Sequence, residues 1–416
     1  MDTKAQGAWI IHHAGKLEEY GTSAGMDNLR KAGNCGVLLS ALSASDEQNQ
    51  LSNEKVRTLA EVAGLDLTYQ LPALLETLKD HALIDLGQNS IEVLGLTTRT
   101  VLEHTGNIFN HLDPKPIEIA SLDAAELCSQ APRTDVELGK YLSNQYHLAR
   151  KDVNQLIETV ETYKLCDMEP LDSLNKLYFN GALFRGDHVK KAKAVLDSLT
   201  AVDRTNVQSV DQLLTAEGCI EKKIAVQTLG VKLFKKLQSI GMYDVNTVSN
   251  NRETVEYITR PSAFNKFGRS DISDAFDLAK AFVASLEYGM SRSASGRGRI
   301  VFLKQLMEKL IAGSAIGPCT AIGQDYRVLE LRGVVQVIPT RGQMFSMRLL
   351  KRDIGKLALQ VLQSGDASDQ SLTVLPGSPL NAYSGPEYNR VQARKQAHAE
   401  KIDVRQALET LRTTSL

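Results

Sequence analysis

At 416 residues, with 43% hydrophobic and 23% charged side chains, the chain has the make-up of a soluble globular protein large enough for several cores. Aromatic residues amount to only 6%, with one tryptophan, Trp9, which argues against a carbohydrate site or an aromatic base-stacking platform. The formal net charge of −1 hides a division: residues 1–181 carry 15 Lys and Arg against 26 Asp and Glu, residues 182–356 carry 27 against 17, and residues 357–416 carry 6 of each.

The five cysteines (Cys35, Cys128, Cys166, Cys219, Cys319) lie far apart, with no CxxC and no Cys/His ligand spacing. That usage fits a reduced, cytoplasmic protein. Met1-Asp2-Thr3-Lys4 lacks a signal-peptide core, and no apolar run reaches the length of a membrane span. Residues 1–36 stay unassigned. Trp9, Ile10 and Ile11 suit a short strand or a helical anchor, and Gly21 to Gly25 suits a loop. His12-His13 invites a metal reading, but neighbours on a helix point about 100° apart. With no acid or thiol at ligand spacing, ordinary side chains are the expectation.

From Val37 the pattern becomes informative. Val37, Leu38, Leu39 and Leu42 suit one helix face, and Ser52 can cap a second helix carrying Val56, Leu59, Ala60 and Ala63. Gly64 permits a turn. A third helix follows, with Leu71, Leu74, Leu75 and Leu78 on one face, expected to be buried against Val37 to Leu42. Pro72 falls near its start, where a missing N–H costs little. Two short strands, Leu83–Leu86 and Ser90–Leu94, then flank Gly87-Gln88-Asn89. Helix, helix, helix, hairpin, carried by Ser52, Gly64, Leu83 and Gly87, resembles the winged helix-turn-helix superfamily. The resemblance implies a mainly α fold with small β-hairpins (α+β), built from tandem winged-helix-like domains.

The same order recurs. Unit 1 spans 37–112 with a linking helix from Thr97 to Phe109, and Asp113-Pro114-Lys115-Pro116 breaks the chain. Unit 2 spans 117–186, with helices over Asp123–Gln130, Thr134–Leu142 and Ala149–Tyr163 and a wing of Leu165–Met168 and Lys176–Asn180. Unit 3 spans 187–268, with helices over Val189–Leu199, Asn206–Thr215 and Glu221–Ile240 and a hairpin turning at Ser249 to Arg252. A fourth, basic α+β unit spans 269–363 as a candidate fourth winged helix. It reads as a helix over Asp271–Tyr288, a flexible basic loop over Ser291–Arg299, a helix over Ile300–Ile311, an irregular stretch over Gly313–Gln324, strands over Tyr326–Leu331, Val334–Ile338 and Phe345–Leu349, and a helix over Lys351–Leu362. The Ser-, Gly- and Pro-rich 364–386 reads as a flexible linker and 387–416 as a C-terminal helix.

No P-loop, dinucleotide fingerprint, GxSxG or HExxH is present, and Gly296-Arg297-Gly298-Arg299 lacks a third glycine. Asp325, Glu330 and Arg332 faintly resemble a nuclease D…ExK, but the acids are too close and arginine replaces lysine. Neither catalysis, a cofactor nor a metal is expected. The charge division instead assigns roles. The third helix of unit 1 carries Glu76, Lys79 and Asp80, repulsive to phosphates, so residues 1–181 are expected to contact a protein partner or a second copy of the chain. The candidate contacts to duplex DNA are Lys190, Lys191, Lys193, Lys222, Lys223, Lys232, Lys235, Lys236, Arg292, Arg297, Arg299, Arg341, Arg348, Lys351 and Arg352. A solvated basic face is the bland account of the lysines. The leading reading is a non-enzymatic DNA-binding regulator or an accessory subunit of a DNA-processing, chromosome-maintenance or phage-defence complex. The rival is a protein scaffold that never touches nucleic acid.

Overall fold

The computed structural model describes residues 1–19, 25–43, 50–94, 100–172, 175–184, 186–267 and 273–368. Over these residues the chain is mainly helical, with four small three-stranded antiparallel sheets, an α+β fold. The N-terminal segment left unassigned above holds helix α1 (Thr3–Glu19) and the start of α2 (Asp27–Ser43). Trp9, Ile10 and Ile11 are helical and buried in the first core, so they form an anchor and not a strand. Every third or fourth residue of α1 is apolar, which suits burial on a helix better than the alternation a strand needs.

Next come strand β1 (Gln50–Ser52), helices α3 (Asn53–Val62) and α4 (Gln70–Asp80), and the hairpin β2 (Ile84–Leu86) with β3 (Ser90–Val93). Ser52 caps α3 by accepting from the Lys55 N–H at 3.2 Å. Leu71, Leu74 and Leu78 are buried in one core with Leu38, Leu39 and Leu42, and Leu75 is half-buried against it. Helix α5 (Val101–His111) packs back on α1 and α2.

The second unit runs α6 (Pro116–Gln130), β4 (Arg133–Thr134), α7 (Asp135–Tyr146), α8 (Arg150–Thr162), β5 (Asp167–Pro170) and β6 (Lys176–Phe179). The third runs α9 (Val189–Asp197), α10 (Ala201–Glu217), β7 (Ile220–Glu221), α11 (Lys222–Ser239), β8 (Asp244–Ser249) and β9 (Thr254–Thr259). Helices α12 (Ser262–Asn265) and α13 (Ser273–Ser291) precede the fourth: α14 (Leu303–Ile311), β10 (Ile316–Cys319), α15 (Ile322–Asp325), α16 (Arg327–Leu331), β11 (Val335–Pro339) and β12 (Phe345–Leu349), then α17 (Arg352–Ser364).

Each sheet has its third strand in the centre, in the orders β1-β3-β2, β4-β6-β5, β7-β9-β8 and β10-β12-β11. The short leading strand is therefore the outer neighbour of the hairpin in all four. A second feature repeats at the level of single hydrogen bonds. The helix before each hairpin ends on a left-handed residue: Ala82 (φ 54°), Lys164 (φ 53°), Gly241 (φ 77°) and Gly333 (φ 63°). The next N–H then reaches the carbonyl five residues back, Leu83 to Leu78 at 3.0 Å, Leu165 to Val160 at 3.0 Å, Met242 to Leu237 at 3.1 Å and Val334 to Leu329 at 2.8 Å. This Schellman closure turns each helix directly into its hairpin and puts an apolar residue on either side of the turn.

Four sequence expectations are corrected. The single helix expected over Glu221–Ile240 is broken at Gly230 (φ 75°, ψ 154°), a backbone state that glycine adopts without strain. It is two helices, 222–229 and 231–239. The strand expected over Tyr326–Leu331 is a tight helix, closed by the Arg332 N–H on Val328 O at 3.0 Å. The strand lies earlier, in the stretch read as irregular. The basic loop 291–299 contains a 3-10 turn (Ser295–Arg297) whose arginine is buried. Of the stretch read as linker, Ser364 ends α17, Gly365 caps it, and Ala367 is buried with its N–H on Ala263 O at 2.7 Å. Residues 369–386 and the expected helix at 387–416 lie outside the described residues.

The two halves meet at Trp9. Its ring packs edge-on against Phe267 (4.8 Å between centroids), and its Nε1–H donates to Glu126 Oε2 at 2.7 Å. Lys266 Nζ pairs with the same carboxylate at 2.6 Å and lies 5.9 Å from the Trp9 ring. Burial pushes the Glu126 carboxyl up, but Lys266 and the Trp9 N–H outweigh it and hold Glu126 below its ordinary range.

Candidate nucleic-acid interface

The second half of α11 is the most basic exposed helix among the described residues. Leu233, Phe234 and Leu237 face inward, and Phe234 stacks parallel to Tyr243 at 6.3 Å between centroids. Tyr243 is held in turn by its O–H on Asp211 Oδ1 at 3.0 Å. Burial first, then the Asp211 charge, push the Tyr243 hydroxyl well above its ordinary value, so it stays a donor. With that face fixed, helical spacing sends Lys232, Lys235 and Lys236 outward, and all three are exposed; the Asp203 carboxyl, held below its ordinary range first by Thr200, has Lys236 near enough to help. Lys223, exposed in the preceding half, adds a fourth cation.

Other candidates serve the fold instead. Lys193 is buried between Glu137 (2.7 Å) and Asp197 (2.9 Å), tying α9 to α7. Burial lowers its pKa, but the two carboxylates prevail and raise it. Lys222 pairs with Glu256 at 2.9 Å and sits 5.7 Å from the Phe234 ring centre, bracing α11 on β9. Arg292 makes a two-pronged contact with Glu221 at 2.6 and 2.8 Å. Its charge is spent on an acidic group in which burial, then Glu217, push Glu287 up to about 7. Arg297 is buried against Asp325 (2.8 Å) and Gln324 (2.9 Å) and cannot follow a groove. The glycines beside it signal a tight turn, not a mobile tip.

The remaining candidates are exposed. Lys190 donates to Leu171 O (3.2 Å), Arg299 to Met290 O (2.9 Å) and Lys351 to Arg332 O (3.3 Å), while Lys191 is exposed and the exposed Arg352 lays its guanidinium beside Gly313. Arg341 lies in the β11–β12 turn, and Arg348, on the central strand opposite Gln336, is exposed beside it. These form a second patch on unit 4, on an element separate from α11.

The hairpin tip of unit 3 is not free. Asn250 Nδ2 donates to Asp325 Oδ1 at 2.9 Å, and Arg327 Nη2 to Asn251 Oδ1 at 3.3 Å. Tyr288 on α13 donates to Glu253 at 3.0 Å. Units 3 and 4 are thus clipped together through that tip. The exposed Arg252 there, and Arg327 and Arg332, are not among the DNA contacts the sequence suggests; the turn at Ser249 to Arg252 is the available signal. Asp325 and Glu330, weighed as nuclease carboxylates, are separated: Asp325 is buried on Arg297 and Glu330 is exposed on α16.

Among the described residues no three His, Cys, Asp or Glu side chains gather into a metal-sized group, and no helix is long and apolar enough to cross a membrane. A cavity of about 470 Å³ lies at the joint between the halves, lined by Glu126, Asp211, Arg260 and Lys266, of which Glu126 and Lys266 neutralise each other. No family model, curated protein or solved structure matches the chain.

Proposed function

We propose that the four repeated units are winged helices, and that the third binds duplex DNA through residues 231–239 of α11. The sheet order and the common closure of the third helix support the first part. In such a unit the third helix enters the major groove. The observation that carries the second part is Lys232, Lys235 and Lys236, projecting together from that helix, all exposed, with only Lys236 near an acid, Asp203. Arg341 and Arg348 on the unit 4 hairpin supply a second set of phosphate contacts. The corresponding helices of the first half are mixed or acidic outside: Glu76, Lys79 and Asp80 on α4, and Arg150, Lys151, Asp152 and Glu158 on α8. Those units hold protein. The role is a non-enzymatic one, as a transcription regulator or a subunit of a DNA-processing complex. The five unpaired cysteines favour a reducing, cytoplasmic setting.

The test is a salt titration of the full chain on a duplex. Replacing Lys232, Lys235 and Lys236 together by alanine is expected to weaken binding at low salt and to reduce the slope of log K against log salt by about 2–3, if each meets one phosphate. Lys193→Ala is the wrong-site control, because its charge is spent inside the protein. Binding that is absent at low salt, or unchanged in the triple variant, removes the reading and leaves the scaffold.

A further inference from the structure

The third helix of unit 4 is unlike that of unit 3. On α16, Val328 is 58% and Leu331 86% exposed, one turn apart on the same side. Leu350, 53% exposed, joins them: the adjacent Lys351 Nζ donates to Arg332 O at 3.3 Å and the Leu350 N–H to Val334 O at 2.9 Å, so the end of β12 lies beside the end of α16. Three large apolar side chains gather where a winged helix would meet a groove, and phosphates offer them nothing. Arg327, Arg332 and Lys351 rim the patch, with exposed Glu330 the single acid among them. The surface fits a partner that is apolar at its centre and acidic at its edge.

The other end of the same chain presents that chemistry. At the end of α3 Val62 is 56% exposed, and in the turn that follows Tyr69 is 83% exposed, the most exposed aromatic side chain among the described residues. Tyr69 is not on a loose loop. Its N–H is held by Asp66 Oδ1 at 2.6 Å, and the Thr68 N–H by the same oxygen at 2.8 Å. Those N–H groups, Tyr69 first, also keep the Asp66 carboxyl below its ordinary range, and Glu61, nearby in sequence, is exposed. From first to last strand, unit 1 carries seven acidic and three basic side chains, whereas unit 4 carries two acidic and four basic. One of the two acids of unit 4, Asp325, is already neutralised by Arg297.

We infer that the chain associates head to tail with a second copy of itself, the Val328–Leu331–Leu350 face of one copy docking on the Val62–Tyr69 turn of the next. The contact is heterologous, so each copy keeps one free face at either end and assembly continues until a ring closes or a filament forms. It uses neither α11 nor nucleic acid, and stands apart from the DNA reading.

Sedimentation of the full chain without DNA tests it. The average mass should rise with protein concentration at about 0.05 M salt and fall back toward one chain at about 0.5 M, as screening weakens the charged rims. Leu331→Asp and Tyr69→Asp, both at outward positions, should each leave a folded monomer, with folding checked by circular dichroism. Mixed, the two variants should form a one-to-one dimer and nothing larger, because each supplies the intact face the other lacks. A wild-type chain that is monomeric at every concentration overturns the inference. So does continued assembly of either variant alone, or a dimer that Leu331→Asp abolishes and Tyr69→Asp does not.

Discussion

Acidifying the protein from about pH 6.5 to about pH 4 is expected to remove about 3 kcal/mol of stability through His13 alone, with a further loss through His12. Both imidazoles are enclosed between Trp9, α6 and each other, with their Nδ1 atoms 3.2 Å apart and His13 Nε2 3.4 Å from Ser121 O. One tautomer satisfies all three atoms: His12 Nδ1–H donates to His13 Nδ1, and His13 Nε2–H donates to the carbonyl. Burial lowers the His13 pKa to about 4 against the partial support of the Ser121 carbonyl. His12 is lowered by burial, then by His13 and Lys16. Above pH 6.5 both are neutral folded and unfolded, and contribute no slope. As the pH falls, the unfolded chain takes up protons that the folded chain refuses, so stability declines until the folded pKa is reached. Urea denaturation across this range should show that limb in the wild type and a shallower one in His13→Gln. Identical slopes in the two proteins would remove the histidines as its source.

Arg297→Ala should cost about 3–5 kcal/mol, the usual effect of leaving one member of a buried ion pair without its partner. The Arg297 and Asp325 side chains are 5% and 1% exposed, and the same carboxylate receives Asn250 from the unit 3 hairpin. Removing the guanidinium strands a buried charge and loosens the clip between the units. Arg299→Ala, two residues on and outside, should stay within about 0.5 kcal/mol of wild type. Chemical denaturation of the two variants side by side makes the comparison, and equal midpoints would mean that the pair does not hold this region.

The contrast between these neighbouring arginines marks the boundary of what could be read from sequence. Apolar spacing located most helices and three of the four hairpins to within a few residues, because Leu71, Leu74 and Leu78 or Val153, Leu156 and Val160 leave little choice of face. The leading strands were missed because two to four residues, as in Arg133–Thr134 or Ile316–Cys319, are too few to show alternation. Gly230 is hidden as a break because Leu229 and Leu233 keep helical spacing across it. Tyr326–Leu331 is short enough to satisfy either period, so spacing alone does not separate a strand from the helix that forms there.

Charge was legible in total but not in use. Lys193, Lys222, Arg292 and Arg297 meet Glu137, Glu256, Glu221 and Asp325, which lie 56, 34, 71 and 28 residues away. Counting lysines and arginines cannot tell which ones folding will place opposite a carboxylate. Lys232, Lys235 and Lys236 stay exposed because their helix turns its apolar side to Tyr243, and only Lys236 lies near an acid, Asp203.

Trp9 is the chain's single tryptophan, and it sits where Phe267 and Lys266 of one half meet α1 and Glu126 of the other. Its indole is buried and its N–H bonded, so intrinsic fluorescence comes from one chromophore at the joint. Emission that stays blue reports halves that remain docked, and a red shift on addition of a ligand reports their parting. The molecule carries its own optical gauge of that joint, and no label is needed to read it.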